Sequence, residues 1–125
     1  MTKRLYNFMP GGGSDPSISP DFLPVLTSRC PSNGDVNVRL AIDDGSEREF
    51  DKHILKNIRQ GFAVLESDAR LGDDDNTRSV IESYFDPTSS SSFEADFVDA
   101  ILRMGHIGVK TGSLGEIRRT CSSFN

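Results

Sequence analysis

The sequence predicts an all-α fold with long irregular connections, and three observations carry that expectation. Phe93, Phe97, Ala100, Ile101 and Met104 repeat at helical spacing, the strongest amphipathic signal in the chain. Turn formers cluster between the periodic segments, as in Pro10-Gly-Gly-Gly-Ser-Asp-Pro and Thr88-Ser-Ser-Ser-Ser. No alternating apolar–polar segment persists long enough to make a convincing strand.

Taken in order, residues 1–19 read as a loop, because their proline and glycine run cannot sit inside a helix. Ser19-Pro20 supplies an N-cap and a proline at the first helical position. Phe22, Val25, Leu26 and Arg29 continue at helical spacing until Cys30-Pro31 ends the element. Residues 31–49 form a long connection rich in Gly, Asp and Asn; such loops inside a small domain are usually functional or disordered. Asp51 is expected to cap the next helix, with Ile54, Leu55 and Ile58 on one face and Gly61 as the stop. A short turn spans Glu66–Leu71, and the acidic run Asp73-Asp-Asp-Asn-Thr precedes a helix Arg78–Phe85 that turns Val80, Ile81, Tyr84 and Phe85 inward. After the serine linker and the Phe93–Met104 helix come turns at Gly105, Gly108 and Gly112, then the basic Glu116-Ile-Arg-Arg. These helices need partners to bury their apolar faces, and few are available, so they read as pieces of something larger.

Composition narrows the function. The chain has 125 residues, enough for one modest core. Its net charge of −5, with 14 basic residues scattered among 19 acidic ones, argues against a nucleic-acid partner. No apolar run approaches the roughly 20 residues that cross a bilayer, so no membrane role is expected. The opening Met1-Thr-Lys-Arg-Leu-Tyr-Asn-Phe has no apolar core of a signal peptide and, read literally, leaves the chain in the cytosol. Cys30 and Cys121 have no CxxC or Cys/His context. They either pair with each other, stay reduced, or pair outside the chain; two semi-buried structural thiols are preferred.

No nucleophile elbow, H-E-x-x-H helix or phosphate-binding loop is present. His53 and His106 read as surface and loop histidines without a triad partner at a suggestive spacing. The run Asp73-Asp74-Asp75 reads as a helix N-terminus, where carboxylates accept backbone N–H bonds and offset the dipole. The metal candidate is Asp43-Asp44-Gly45-Ser46-Glu47-Arg48-Glu49-Phe50-Asp51, whose oxygens suit a flexible calcium shell. On spacing alone the simpler reading, a turn followed by a capped helix, is preferred.

Several segments together resemble the secretory (class III) plant haem peroxidases. Arg4-Leu-Tyr-Asn-Phe followed by Asp15-Pro-Ser-Ile-Ser-Pro resembles the segment after that family's proximal helix, and Cys30-Pro31 with Asn33-Gly34-Asp35 its next helix end. Ile42 to Asp51 is similar to its calcium loop, and Leu65-Glu-Ser-Asp68 to its L-x-S-D segment. Met104-Gly-His-Ile-Gly-Val-Lys-Thr-Gly-Ser-Leu-Gly-Glu-Ile-Arg-Arg-Thr-Cys121 resembles its C-terminal signature almost without a gap.

The resemblance implies residues 1–125 as a C-terminal, proximal-side part of that fold, with a loop at 1–19, a calcium loop at 43–51 and C-terminal helices at 93–121. It implies an extracellular enzyme that uses hydrogen peroxide to oxidise small phenolic donors in the response to oxidative stress, with haem b and calcium as cofactors. Asp43, Ser46 and Asp51 would bind calcium through side chains and Glu49 through its main-chain carbonyl. Asp68 would accept the Nδ1–H of the iron-ligating histidine, Ile42 would pack beside that ring, and Cys30 and Cys121 would form disulfides with cysteines outside this chain. Nothing here matches the family's H-T-x-G proximal histidine or its distal arginine and histidine, so the chain alone is expected to be inactive. Ala69 stands where a glutamine is common, and no N-x-[ST] site is present. The alternative is a stand-alone helical calcium-binding or regulatory module without enzymatic activity.

Overall fold

In the computed structural model, which describes residues 1–125, six short helices carry the regular structure: α1 (Thr2–Tyr6), α2 (Leu23–Arg29), α3 (His53–Arg59), α4 (Glu66–Ala69), α5 (Asp75–Ser83) and α6 (Phe93–Gly105). Two 3₁₀ turns, Arg70–Gly72 and Gly112–Leu114, complete it. There is no sheet; isolated bridges join Asn7 to Gly13 and Met9 to Gly12. The expected all-α class holds. The chain divides into one unit at Met1–Glu94 and a second at Ala95–Asn125.

The first unit has two apolar clusters. Leu5, Ile18, Phe22, Leu26 and Val64 form one, with Phe22 and Phe62 stacked at 4.9 Å between ring centroids. Leu55, Ile58, Ala63 and Ile81 form the other, with Ile54, Tyr84, Phe85 and Phe93 packed on it. Neighbouring residues Ala63 and Val64 thus serve opposite clusters, and the segment joining α3 to α4 runs between the two.

Several boundaries differ from expectation. Residues 2–6 form a helical turn rather than loop, because Arg4 and Leu5 are both buried and their backbone needs internal partners. Ser19-Pro20 opens a turn closed by the Phe22 N–H on the Ser19 carbonyl; α2 starts later, with Pro24 in its first turn. Asp51 lies one residue outside the cap of α3, yet its carboxylate accepts the His53 N–H at 2.7 Å. The stretch expected as a turn before Leu71 is itself helical, as α4 and the following 3₁₀ turn. Helix α5 begins with the acidic run: Asp74 caps it, accepting the Thr77 N–H at 2.8 Å, and the helix ends before Tyr84. Ile81 is buried as expected, but Val80 faces solvent at 51% exposure, one residue off the buried stripe.

Helix α6 starts at the end of the first unit, continues into the second, and forms over the expected residues. It buries none of them, and Phe97, Ile101 and Met104 are all exposed. Gly108 and Gly112 turn the chain beyond it at positive φ. No helix is long and apolar enough to cross a membrane.

Candidate functional site

The loop 43–51 is pinned to α3 through three side chains. Asp43 accepts the Nδ1–H of His53 at 2.8 Å and the Nδ2–H of Asn57 at 2.7 Å. A carboxylate only accepts, so this bond fixes the imidazole proton on Nδ1. Asn57, itself buried, also donates to the Asp44 carbonyl at 3.1 Å. His53 and Asn57 stand one helical turn apart on α3, which is why both reach one carboxylate. Arg29, at the end of α2, closes the other side on Asp44 at 2.7 Å.

Asp51 is held at the far end of the same loop. Its Oδ2 accepts the Ser46 hydroxyl at 2.7 Å while Oδ1 takes the His53 N–H. The Ser46 hydroxyl, and after it the His53 N–H, hold the Asp51 carboxyl below its ordinary value, so it stays ionised. His53 therefore touches both carboxylates, Asp51 through its main chain and Asp43 through its ring. Gly45 lets the loop close over that ring: it sits at φ +100, and a Cβ there would lie 3.1 Å from His53 Cε1.

Of the expected calcium ligands, Ser46 and Asp51 are brought into direct contact, and Asp43 reaches them by way of His53. Glu49 donates its N–H to the Ser46 carbonyl at 3.2 Å, which keeps its main chain in the same turn. No three Asp, Glu, His or Cys side chains converge on one point. The set is instead two carboxylates, a hydroxyl and a main-chain carbonyl, all hard oxygen donors, and that chemistry fits calcium.

A second feature of the first unit is a cleft of about 510 Å³ lined by Val36, Val38, Leu40, Ile42, Val64 and Leu65, among others. Ile42 is 52% exposed there. Lys3, Arg4, Asp35 and Glu66 line it as well, so an apolar strip runs between charged groups. Such a strip fits the face of a planar macrocycle such as haem, while the charged groups suit its polar edge. Asp68 is half-buried in α4 and accepts the Ser67 hydroxyl at 3.1 Å. It stands three residues beyond Leu65 rather than in the cleft wall. His53, the histidine of the first unit, does not line the cleft. Cys30 lies half-buried on its rim, whereas Cys121 in the second unit is exposed rather than semi-buried; neither forms a disulfide within the chain.

The partners of His53 escape sequence reading, because Asp43 lies across a loop from it rather than at a periodic spacing. So does the buried ion pair of Arg4 and Asp15 at 2.7 Å, which ties loop 1–19 to the α3–α4 connection. Nothing in the spacing of Arg4 and Asp15 signalled it.

Comparison with known proteins identifies the family. The peroxidase family model matches residues 1–87. Peroxidase 43 of Arabidopsis thaliana is 61% identical over the whole chain, which covers 39% of that protein. Peroxidase 13 of the same plant is 48% identical over 89% of the chain and 35% of its own length. Peroxidase N1 of Nicotiana tabacum is 41% identical over 98% of the chain and 38% of its own length. The chain thus spans about two fifths of the length of the curated relatives it matches. A family model covering most of the sequence, and relatives this similar across nearly all of it, make the chain a member of the plant peroxidase family.

Proposed function

We propose that this chain is the C-terminal, proximal-side part of a secreted haem peroxidase that uses hydrogen peroxide to oxidise small phenolic donors. The observation that carries the reading is the 61% identity to a plant peroxidase across the entire chain. Bound haem supplies the redox chemistry. The residues here supply its surroundings on one side. Ile42, Val64 and Leu65 would offer the apolar wall that keeps water from the ring. Asp68 would accept the Nδ1–H of the iron-ligating imidazole, making that ligand more basic and holding its orientation. Asp43, Ser46, Asp51 and the Glu49 carbonyl would hold calcium, fixing loop 43–51 and with it Ile42. Cys30 and Cys121 would pair with cysteines outside this segment, in keeping with an extracellular protein.

The 125-residue chain by itself is proposed to be inactive. Nothing in its sequence matches the family's proximal histidine, and His53, the histidine of the first unit, does not line the cleft. The test is to mix purified chain, haem, peroxide and a phenolic donor, and in parallel the haem-loaded polypeptide that contains this segment. Oxidation above free haem is expected only in the second sample. Turnover in the first would mean that His53 or His106 binds the iron, and none in the second would overturn the peroxidase reading.

A further inference from the structure

We propose that the buried Arg4–Asp15 pair is a positioning device for Asp68, clamping the 63–70 segment at both ends. This rests on the reading of Asp68 as the acceptor of the iron ligand's N–H. Arg4 is 4% exposed and Asp15 1% exposed, so neither is a surface charge. All three nitrogens of the Arg4 guanidinium donate. Nε donates to Asp15 Oδ2 at 2.7 Å and Nη2 to the Ser17 hydroxyl at 3.0 Å. Nη1 donates to two successive carbonyls, Ala63 at 2.6 Å and Val64 at 2.7 Å.

That last pair of bonds fixes a backbone direction. In an extended chain successive carbonyls point to opposite sides. Here both reach one nitrogen, so the chain is bent at Val64 and enters α4 at a set angle. Asp68 follows within a single helical turn, too soon for an error in that angle to be absorbed. At the other end Arg70, two residues after Asp68, brings Nη2 to 3.8 Å from Asp15 Oδ1 and Nη1 to 3.1 Å from Asp73. Asp15 is the common counter-charge: Ser17 holds its Oδ1 through N–H and hydroxyl bonds, and its own N–H donates to the Arg4 carbonyl. A lysine at position 4 keeps the charge but not the fork that spans a carboxylate and two carbonyls.

Two measurements test the clamp. On the chain itself, hydrogen exchange of Arg4→Lys should be about tenfold faster in the 63–69 peptide than in wild type, relative to α2, since charge-assisted bonds are lost there. Arg70→Gln, at the outer end, should speed exchange only around residues 66–72. In the haem-loaded polypeptide containing this segment, Asp68→Asn should raise the iron midpoint potential. Arg4→Lys and Arg70→Gln should shift it in the same direction by a fraction of that amount. If Asp68→Asn moves the potential and both arginine variants leave it unmoved, the clamp is overturned while the role of Asp68 stands. If Asp68→Asn leaves it unmoved, the reading of Asp68 itself falls. Uniformly faster exchange would reduce the pair to general packing and overturn the proposal. Should Arg4→Lys fail to fold, Arg70→Gln decides the outcome alone.

Discussion

Asp15, 1% exposed, is the buried carboxylate of the first unit. Burial pushes its carboxyl up, but the hydrogen bonds from Arg4 and Ser17 outweigh that and leave it below its ordinary value of 3.8. A depressed carboxyl contributes stability that is fully present above the unfolded value and is lost as pH falls through the folded one. The chain should therefore hold its stability down to about pH 4 and lose part of it below. Asp15→Asn keeps the shape but strands the buried guanidinium, a loss of about 3–5 kcal/mol for a broken buried pair. Urea unfolding of both proteins across pH 3–7 checks this. Wild type should converge towards the variant at the acid end, and parallel curves would show that Asp15 is not the titrating group. The pair was invisible in the sequence because its arginine and aspartate belong to no periodic face.

At the scale of elements, the helices that were legible are those whose apolar residues keep a single stripe. Leu55 and Ile58 are buried on α3 as their spacing predicts, and Gly61 follows at φ +73, where a Cβ would meet the Ser17 and Ser19 backbone. Helix starts were less legible. Ser19-Pro20 carries the right cap chemistry but is used for a turn, and α5 incorporates Asp75, which was expected to precede it. Competing local hydrogen bonds decide such starts, and residue type alone does not rank them. The loop 43–51 was legible as a unit, through its oxygen-rich composition, but its anchoring by His53 and Asn57 was not. That anchoring bears on the calcium assignment. In the haem-loaded polypeptide containing this segment, Asp43→Ala and Asp51→Ala should each weaken calcium retention, since each removes charge and a hard oxygen donor. His53→Gln should affect it less, because His53 orients Asp43 without supplying an oxygen. Bound calcium counted after gel filtration in low-calcium buffer measures all three. Full occupancy in both aspartate variants would remove the loop from the calcium site.

Across the whole molecule, burial is unevenly distributed between the two units. The first has two clusters and a fully hydrogen-bonded buried ion pair. Helix α6 starts at Phe93, at the end of the first unit, and continues into the second; none of its residues is fully buried, and Ile117 and Leu114 beyond it are 96% and 77% exposed. Helices of about 13 residues draw most of their stability from burying a face, and α6 buries little of its own. Exposed apolar faces on this scale also promote association. The amides of α2 and α3 should therefore exchange slowly, at rates set by unfolding of the first unit, while those of α6 exchange at least about tenfold faster. The measurement is hydrogen exchange on freshly reduced, monomeric chain, since the exposed Cys121 thiol offers a route to intermolecular disulfides in air. Equal protection in α2, α3 and α6 at low concentration, with one sharp thermal transition, would mean that the chain folds as a self-sufficient module. That outcome would count against the reading of this chain as part of a larger peroxidase domain.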